Sequence, residues 1–135
     1  MRSVFVHLRE ATEVEVAEYL SQMYAAGGEQ QWTMRDRKDD PLLYIGFYRD
    51  MNTEFETEDY FSLLEKLGGE PSLSIVAYVS GAGAEEARKF ACDILGRWDG
   101  LAQDDHCDYF WTRDEIPCER INGHKFLGNI ARSRD

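Results

Sequence analysis

Residues 72–80 read SLSIVAYVS and form the clearest strand pattern in the chain. A short run of apolar strand formers, bounded by turn residues, is typical of a strand that is buried on both faces. We therefore expect this strand at the centre of a sheet. Long helices that cover one face of a mostly antiparallel sheet are the economical way to complete such a fold.

Three helices are predicted from apolar residues that recur at helical spacing. The first begins at Thr12, which is placed to form a capping box with Glu15, and should end at the pair Gly27-Gly28. The second begins at Thr57 and ends at another Gly-Gly pair, and the third has the cleanest periodicity. The three apolar stripes are Val16, Ala17, Leu20, Met23 and Tyr24; Tyr60, Phe61, Leu64 and Leu67; and Ala87, Phe90, Ala91, Ile94, Leu95 and Trp98.

Further strands are predicted before, between and after these helices. The segments concerned are residues 4–8, 31–35, 42–48 and 109–111, followed by a C-terminal β-hairpin over residues 120–126. The hairpin is predicted because Asn122-Gly123 is a preferred pair for a two-residue turn. No Pro/Gly/Ser-rich linker divides the chain, so we expect one domain over residues 1–135.

The predicted order of elements is β-α-β-β-α-β-α-β-β-β. Its first six elements are those of a ferredoxin-like unit. The strand and helix over residues 4–23 are echoed by residues 75–95, so tandem βαβ units are the alternative. Both arrangements predict an α+β fold with a mostly antiparallel sheet and three helices on one face.

Composition narrows the classes of function. Fifteen basic residues against 26 acidic ones give a formal charge of −11. This charge disfavours nucleic-acid and anionic membrane surfaces, and it suits solubility or a cationic partner. No apolar run approaches the length of a membrane span, and residues 1–10 lack the pattern of a signal peptide. The three cysteines, Cys92, Cys107 and Cys118, form no Cys-x-x-Cys pair, so we expect reduced thiols in the cytoplasm.

Residues 98–116, WDGLAQDDHCDYFWTRDEI, contain the densest set of reactive side chains. Asp104, Asp105, His106, Cys107 and Asp108 are all metal-ligand types. Consecutive side chains of an extended segment point in opposite directions, and the spaced pairs of zinc sites and the pattern of an EF-hand loop are absent. An acidic turn is therefore predicted here, with no metal and no cofactor.

Nucleophilic catalysis is not indicated either. His106 is poorly placed to activate the adjacent Cys107, since neighbouring side chains of an extended segment diverge. Ser80 lacks the flanking glycines of a nucleophile elbow and is better explained by a strand-to-helix turn. We expect no catalytic residues. The acids Glu54, Glu56, Glu58 and Asp59 fit the start of a helix, with an acidic surface patch shared with Asp104, Asp105 and Asp108 as the alternative.

Residues 100–116 of this stretch resemble small acidic bacterial immunity-type α+β proteins of toxin–immunity systems. In those proteins a helix ends at a glycine, an acidic pair follows, and an aromatic strand leads into a W-T-x-x-E-I-like segment. The matching positions are Gly100, Asp104, Asp105, Trp111, Thr112, Glu115 and Ile116. The resemblance implies a non-enzymatic protein that blocks a toxin by binding it, and residues 1–69 match no motif of such a family.

We therefore expect a non-catalytic protein-binding domain that neutralises a basic toxin. The expected partner-binding residues are Asp104, Asp105, Asp108, Trp111 and Glu115, with Trp111 as the anchor. The alternative is a small-ligand-binding or metal-dependent enzyme domain that uses residues 104–108 together with His124. A homodimer formed through an exposed sheet face is compatible with both.

Overall fold

The structure is a computed structural model that describes residues 2–48, 57–80, 83–104, 109–116 and 126. In these residues the chain forms a seven-stranded sheet and three helices. Their bounds are β1 Arg2–Leu8, α1 Glu13–Met23, β2 Ala25–Gly28, β3 Gln31–Arg35, β4 Pro41–Phe47, α2 Thr57–Leu67, β5 Leu73–Val79, α3 Ala84–Arg97, β6 Gly100–Asp104 and β7 Phe110–Trp111. The predicted α+β class is confirmed. The predicted C-terminal hairpin lies outside the described residues, apart from Phe126.

The strands are ordered β2-β3-β4-β5-β1-β6-β7, and every pair of neighbours is antiparallel. The apolar run at residues 72–80 forms β5, the fourth of the seven strands. Its predicted central place in the sheet is confirmed. Five of its seven residues in a row, from Leu73 to Ala77, are buried. Burial on both faces explains why its sequence is apolar throughout.

The connections cross over neighbouring strands. Strands β1 and β4 run in the same direction with β5 between them, and β5 and β6 run in the same direction with β1 between them. Adjacent parallel strands, which tandem βαβ units contain, do not occur in the described sheet. The ferredoxin-like unit is not confirmed for the first six predicted elements, because their four strands lie in the order β3-β4-β5-β1, with the first strand at the end of the row and not inside it.

Strand β2 replaces the predicted end of the first helix. The capping box of Thr12 and Glu15 is confirmed, but α1 ends at Met23, not at the glycines. Tyr24 has an extended backbone and donates its N–H to Leu20, and the next four residues pair with β3. The predicted end of the helix at Gly27-Gly28 was wrong. Residues 25–28 pair with β3 as an edge strand, and local sequence does not reveal that pairing.

Helices α1 and α3 pack side by side on one face of the sheet. Their buried residues belong to the same core cluster as Val4, Val6 and Leu8 of β1, all of which have no exposed surface. The rings of Tyr24 and Phe90 meet at 6.0 Å, which joins the two helices directly. The stripe predicted for α3 is confirmed from Ala87 to Leu95, whereas Trp98 is half-buried at the helix end.

Helix α2 packs against the opposite face. Leu63 and Leu67 form a second cluster with Leu101 and Phe110, and Leu101 pairs with His7, on the side of the sheet away from α1. The prediction of three helices on one face was therefore wrong. The predicted stripe is confirmed at Leu67 and at the partly buried Tyr60, but Phe61 is 61% exposed and Leu63, which the prediction omitted, is fully buried. Helical spacing alone does not decide between adjacent apolar stripes.

Gly100 marks the closest approach of two strands. A Cβ atom at this position would overlap the backbone carbonyl oxygen of His7 in β1. At Gly46 in β4 the nearest atom to such a Cβ would be the carbonyl oxygen of Gln30, at an ordinary 3.8 Å. Only the first glycine is required by packing.

We predict that Gly100→Ala lowers the free energy of unfolding by about 2 kcal/mol, because backbone atoms have to move to admit the methyl group. Gly46→Ala is the matched strand control and should change the free energy by less than about 1 kcal/mol. Urea denaturation of the two variants and the parent measures both values. Equal losses in the two variants would contradict the close contact.

Candidate functional site

Within the stretch at residues 98–116, the described strands β6 and β7 belong to the sheet. The backbone N–H of Arg9 donates to the carbonyl of Asp99, and its guanidinium donates to the Asp99 carboxylate at 2.8 Å. Asp104 ends β6 and is only 1% exposed. Asp105 and Asp108, like His106 and Cys107, lie outside the described residues.

The aromatic part of the stretch belongs to the interior. Trp111 is 1% exposed and meets the ring of Phe126 at 5.1 Å. Phe110 contacts the cluster beneath α2, and Ile116 is buried in the main core. The predicted strand at residues 109–111 is confirmed as β7. Trp111 is thus placed inside the protein, and its predicted role as a binding anchor is untested.

Glu115 is held by a small network. It accepts hydrogen bonds from the Tyr109 hydroxyl at 2.6 Å and the Thr112 backbone N–H at 2.9 Å. The ammonium of Lys66, at the end of α2, lies 4.1 Å from the Tyr109 ring centre and donates to the carbonyl of Phe110. Partial burial raises the pKa of Glu115, but the bonds from Thr112 and Tyr109 and the Lys66 charge outweigh it and hold the pKa below its usual value.

A buried polar network lies at the centre of the face covered by α2. His7 has no exposed surface, and its Nδ1 lies 2.8 Å from the Ser74 hydroxyl. Its Nε2 lies 3.2 Å from the carbonyl oxygen of Gln103. Because that oxygen can only accept, Nε2 carries the proton and Nδ1 accepts from Ser74. Burial lowers the pKa of His7 to about 4, although the bond to Gln103 opposes the shift.

This network combines side chains that catalysis often uses, but its packing is that of a core. The ring of Phe110 meets His7 edge-on at 6.2 Å, and Phe5 stacks beside it at 6.3 Å. Ser74 is 4% exposed. A serine nucleophile has to contact a substrate carbonyl, and this hydroxyl has almost no open surface. We therefore assign the network to stability.

No grouping of three or more His, Cys, Asp or Glu side chains that could hold a metal occurs among the described residues. Of the cysteines, Cys92 is a free, half-buried thiol whose pKa is raised by burial. Cys118 lies outside the described ranges, as does His124, which the alternative interpretation would add. No described helix is long and apolar enough to cross a membrane.

A cleft of about 270 Å³ opens between α1 and the end of α3. Tyr19 forms its floor, with the Arg97 guanidinium 4.2 Å from the ring centre and the Trp98 ring edge-on at 5.7 Å. The Tyr19 hydroxyl donates to Asp93. Burial and this carboxylate raise the pKa of Tyr19, against the influence of Arg97. The lining residues are Glu15, Glu18, Tyr19, Gln22, Arg97 and Trp98.

The cleft is not predicted by the local sequence patterns, although one signal of it is present. Residues 10–34 contain five acidic residues and no lysine or arginine. Two of these acids, Glu15 and Glu18, are exposed on the cleft wall. The cation in the lining, Arg97, comes from a distant part of the chain, as does Trp98, which was predicted to be core. The meeting of these residues depends on how α1 and α3 pack.

Comparison with protein-family models gives no match, and the curated proteins and the solved structures give none either. The likeness of residues 100–116 to immunity-type proteins therefore still depends on the sequence pattern alone.

We predict that His7 makes the fold sensitive to mild acid. Its pKa is about 4 in the folded protein and near 6.5 when unfolded, so the unfolded chain binds the proton more readily. The contribution of neutral His7 to the free energy of unfolding is complete above pH 6.5. It is lost as the pH falls towards 4, by about 3 kcal/mol in total. The measurement is the free energy of unfolding of the parent and of His7→Gln at intervals from pH 7 to 4.

The parent should lose more stability than His7→Gln over this range. Ser74→Ala serves as the control, since it weakens the network but keeps the histidine and should keep the steep dependence on pH. Parallel curves for the parent and His7→Gln would show that the histidine is not the group responsible.

We also predict that Glu115→Gln lowers the free energy of unfolding by about 1 kcal/mol, because a neutral amide accepts more weakly from Thr112 and Tyr109. Glu65→Gln, at an exposed position of α2, removes the same charge and should have little effect. Thermal unfolding at pH 7 compares the two. Equal stability of the two variants would mean that the network contributes nothing measurable.

Proposed function

We propose that this protein is a non-catalytic binding domain that neutralises a cationic protein, in the manner of a bacterial immunity protein. The observation that carries the proposal is the uncompensated acidity: a formal charge of −11 for the chain, with no basic residue in the segment that forms α1 and β2. The negative electrostatic field of such a chain speeds its encounter with a positively charged partner.

The buried polar groups support a binding role over catalysis. In the described part of the chain, no buried side-chain nitrogen or oxygen is left without a hydrogen bond. Catalytic groups commonly retain an open side towards a substrate. Of the predicted contact residues, Glu115 keeps a partly exposed side chain, and we propose it as a rim acid together with Asp105 and Asp108. The predicted contacts through Asp104 and Trp111 would require these buried side chains to become accessible.

We further propose that the sheet is a ferredoxin-like unit with two insertions. The equivalent elements are β1, α1, β4, β5, α3 and β6, whose strands lie in the order β4-β5-β1-β6. The hairpin of β2 and β3 and the helix α2 are then insertions. Cytoplasmic placement is part of the proposal, since the three cysteines and the acidic composition fit a reducing compartment.

The test is binding to the purified products of the genes that flank this one. We expect one basic protein to bind, with an affinity that falls by a factor of about ten or more between 50 and 300 mM salt, because the attraction is screened. Isothermal titration calorimetry gives the affinity at each concentration. Co-expression should also relieve the toxicity of that partner in a growth assay.

Two results would contradict the proposal. One is the absence of any basic partner among the flanking gene products. The other is a stoichiometric metal in the purified protein whose removal by a chelator lowers the melting temperature, since a ligand stabilises the fold to which it binds. The second result would favour the alternative, a metal-dependent domain that uses residues 104–108.

A further inference from the structure

We propose that the cleft between α1 and the end of α3 receives an arginine side chain of the cationic partner. The inference rests on the proposed function for the existence of that partner, and it assigns the contact to a different surface from the one predicted by the sequence. The residues that carry it are Glu18 of α1, Tyr19 on the floor, and Arg97 and Trp98 at the end of α3.

The size of the cleft favours a side chain over a small-molecule substrate. Its volume of about 270 Å³ lies below the usual range for pockets that enclose drug-sized ligands. One long side chain from a docked protein fits such an open recess. Val14, which is 69% exposed, lies one helical turn before Glu18 on α1.

The cleft already holds one guanidinium on an aromatic ring. Arg97 lies 4.2 Å from the centre of the Tyr19 ring, a separation at which a cation is attracted to the ring face. The adjacent Trp98 side chain is partly exposed, and an indole is the strongest aromatic partner for a cation. The walls therefore offer a second planar cation the kind of contact that Arg97 makes within the chain.

The charges around the cleft select a cation. The Glu15 carboxylate is occupied by the capping box with Thr12, whereas Glu18 has no hydrogen bond or ion pair with any described residue. An incoming cation can pair with Glu18 without displacing an existing contact. Repulsion by Arg97 is offset in part by the Asp93 carboxylate, which accepts from the hydroxyl of the Tyr19 ring that Arg97 contacts.

Arginine fits this cleft better than lysine. A planar guanidinium stacks on a ring and donates to a carboxylate at the same time, whereas a compact ammonium is more strongly hydrated and loses more on entering the cleft. The lining contains an exposed carboxylate, Glu18, and a partly exposed indole, Trp98, which match these two demands. The same contact by an anion is disfavoured, since Glu15 and Glu18 would repel it.

The experiment uses hexa-arginine as the probe and the full chain as the receptor, with calorimetry at 50 mM salt. We expect saturable binding that Glu18→Gln weakens about threefold and Trp98→Leu about fivefold, as a lost ion pair and a lost stacking contact would. Glu65→Gln, on the opposite side of the sheet, removes the same charge and should weaken binding less than twofold. Both carboxylates are exposed, so neither substitution threatens the fold.

The outcomes separate this inference from the proposed function. Equal weakening by Glu18→Gln and Glu65→Gln would overturn the cleft as the binding site, whereas the salt-sensitive partner of the proposed function would stand. Failure of the parent to bind hexa-arginine would also overturn it. Hexalysine binding as tightly as hexa-arginine would contradict the stacking on Trp98, and hexaglutamate should not bind.

Discussion

Strand β1 is buried on both faces, and the order of the sheet depends on this constraint. Three apolar side chains of β1 fill the side that α1 and α3 cover. His7 points to the other side, where almost no water reaches its ring, so its partners have to come from the neighbouring strands. Ser74 of β5 and Gln103 of β6 supply them. A shift of either strand by one residue would turn these partners to the wrong face, so the network also fixes the register.

The stretch at residues 98–116 continues this arrangement towards the edge of the sheet. Gly100 lets β6 approach β1, and Asp99 fixes the turn that leads into it through both bonds from Arg9. Lys66 then joins the end of α2 to the backbone of β7. Asp104, a possible ligand by residue type, is thus buried at the end of β6.

Local patterns predicted the parts of this fold that depend on local interactions. The capping box at Thr12, the stripe of α3 and the apolar run of β5 are each recognisable within a few residues. Strand β2 and the face chosen by α2 depend on partners far away in the chain, and the sequence around them is ambiguous. The same limit applies to the sites: residue type indicates what Asp104 or Trp98 could do, whereas burial and packing decide which of them has access to a partner.

In the proposed complex, the acidity of the chain and the cleft would act at different stages of binding. A surface rich in carboxylates raises the rate of encounter at long range, and that effect depends on total charge and salt more than on any one residue. The lifetime of a complex depends on contacts made at short range in a desolvated place, where an aromatic wall contributes most. Trp98 and Glu18 combine both requirements within one recess. An acidic protein without such a recess would attract basic proteins of many kinds, and the cleft is the feature by which this chain could discriminate among them.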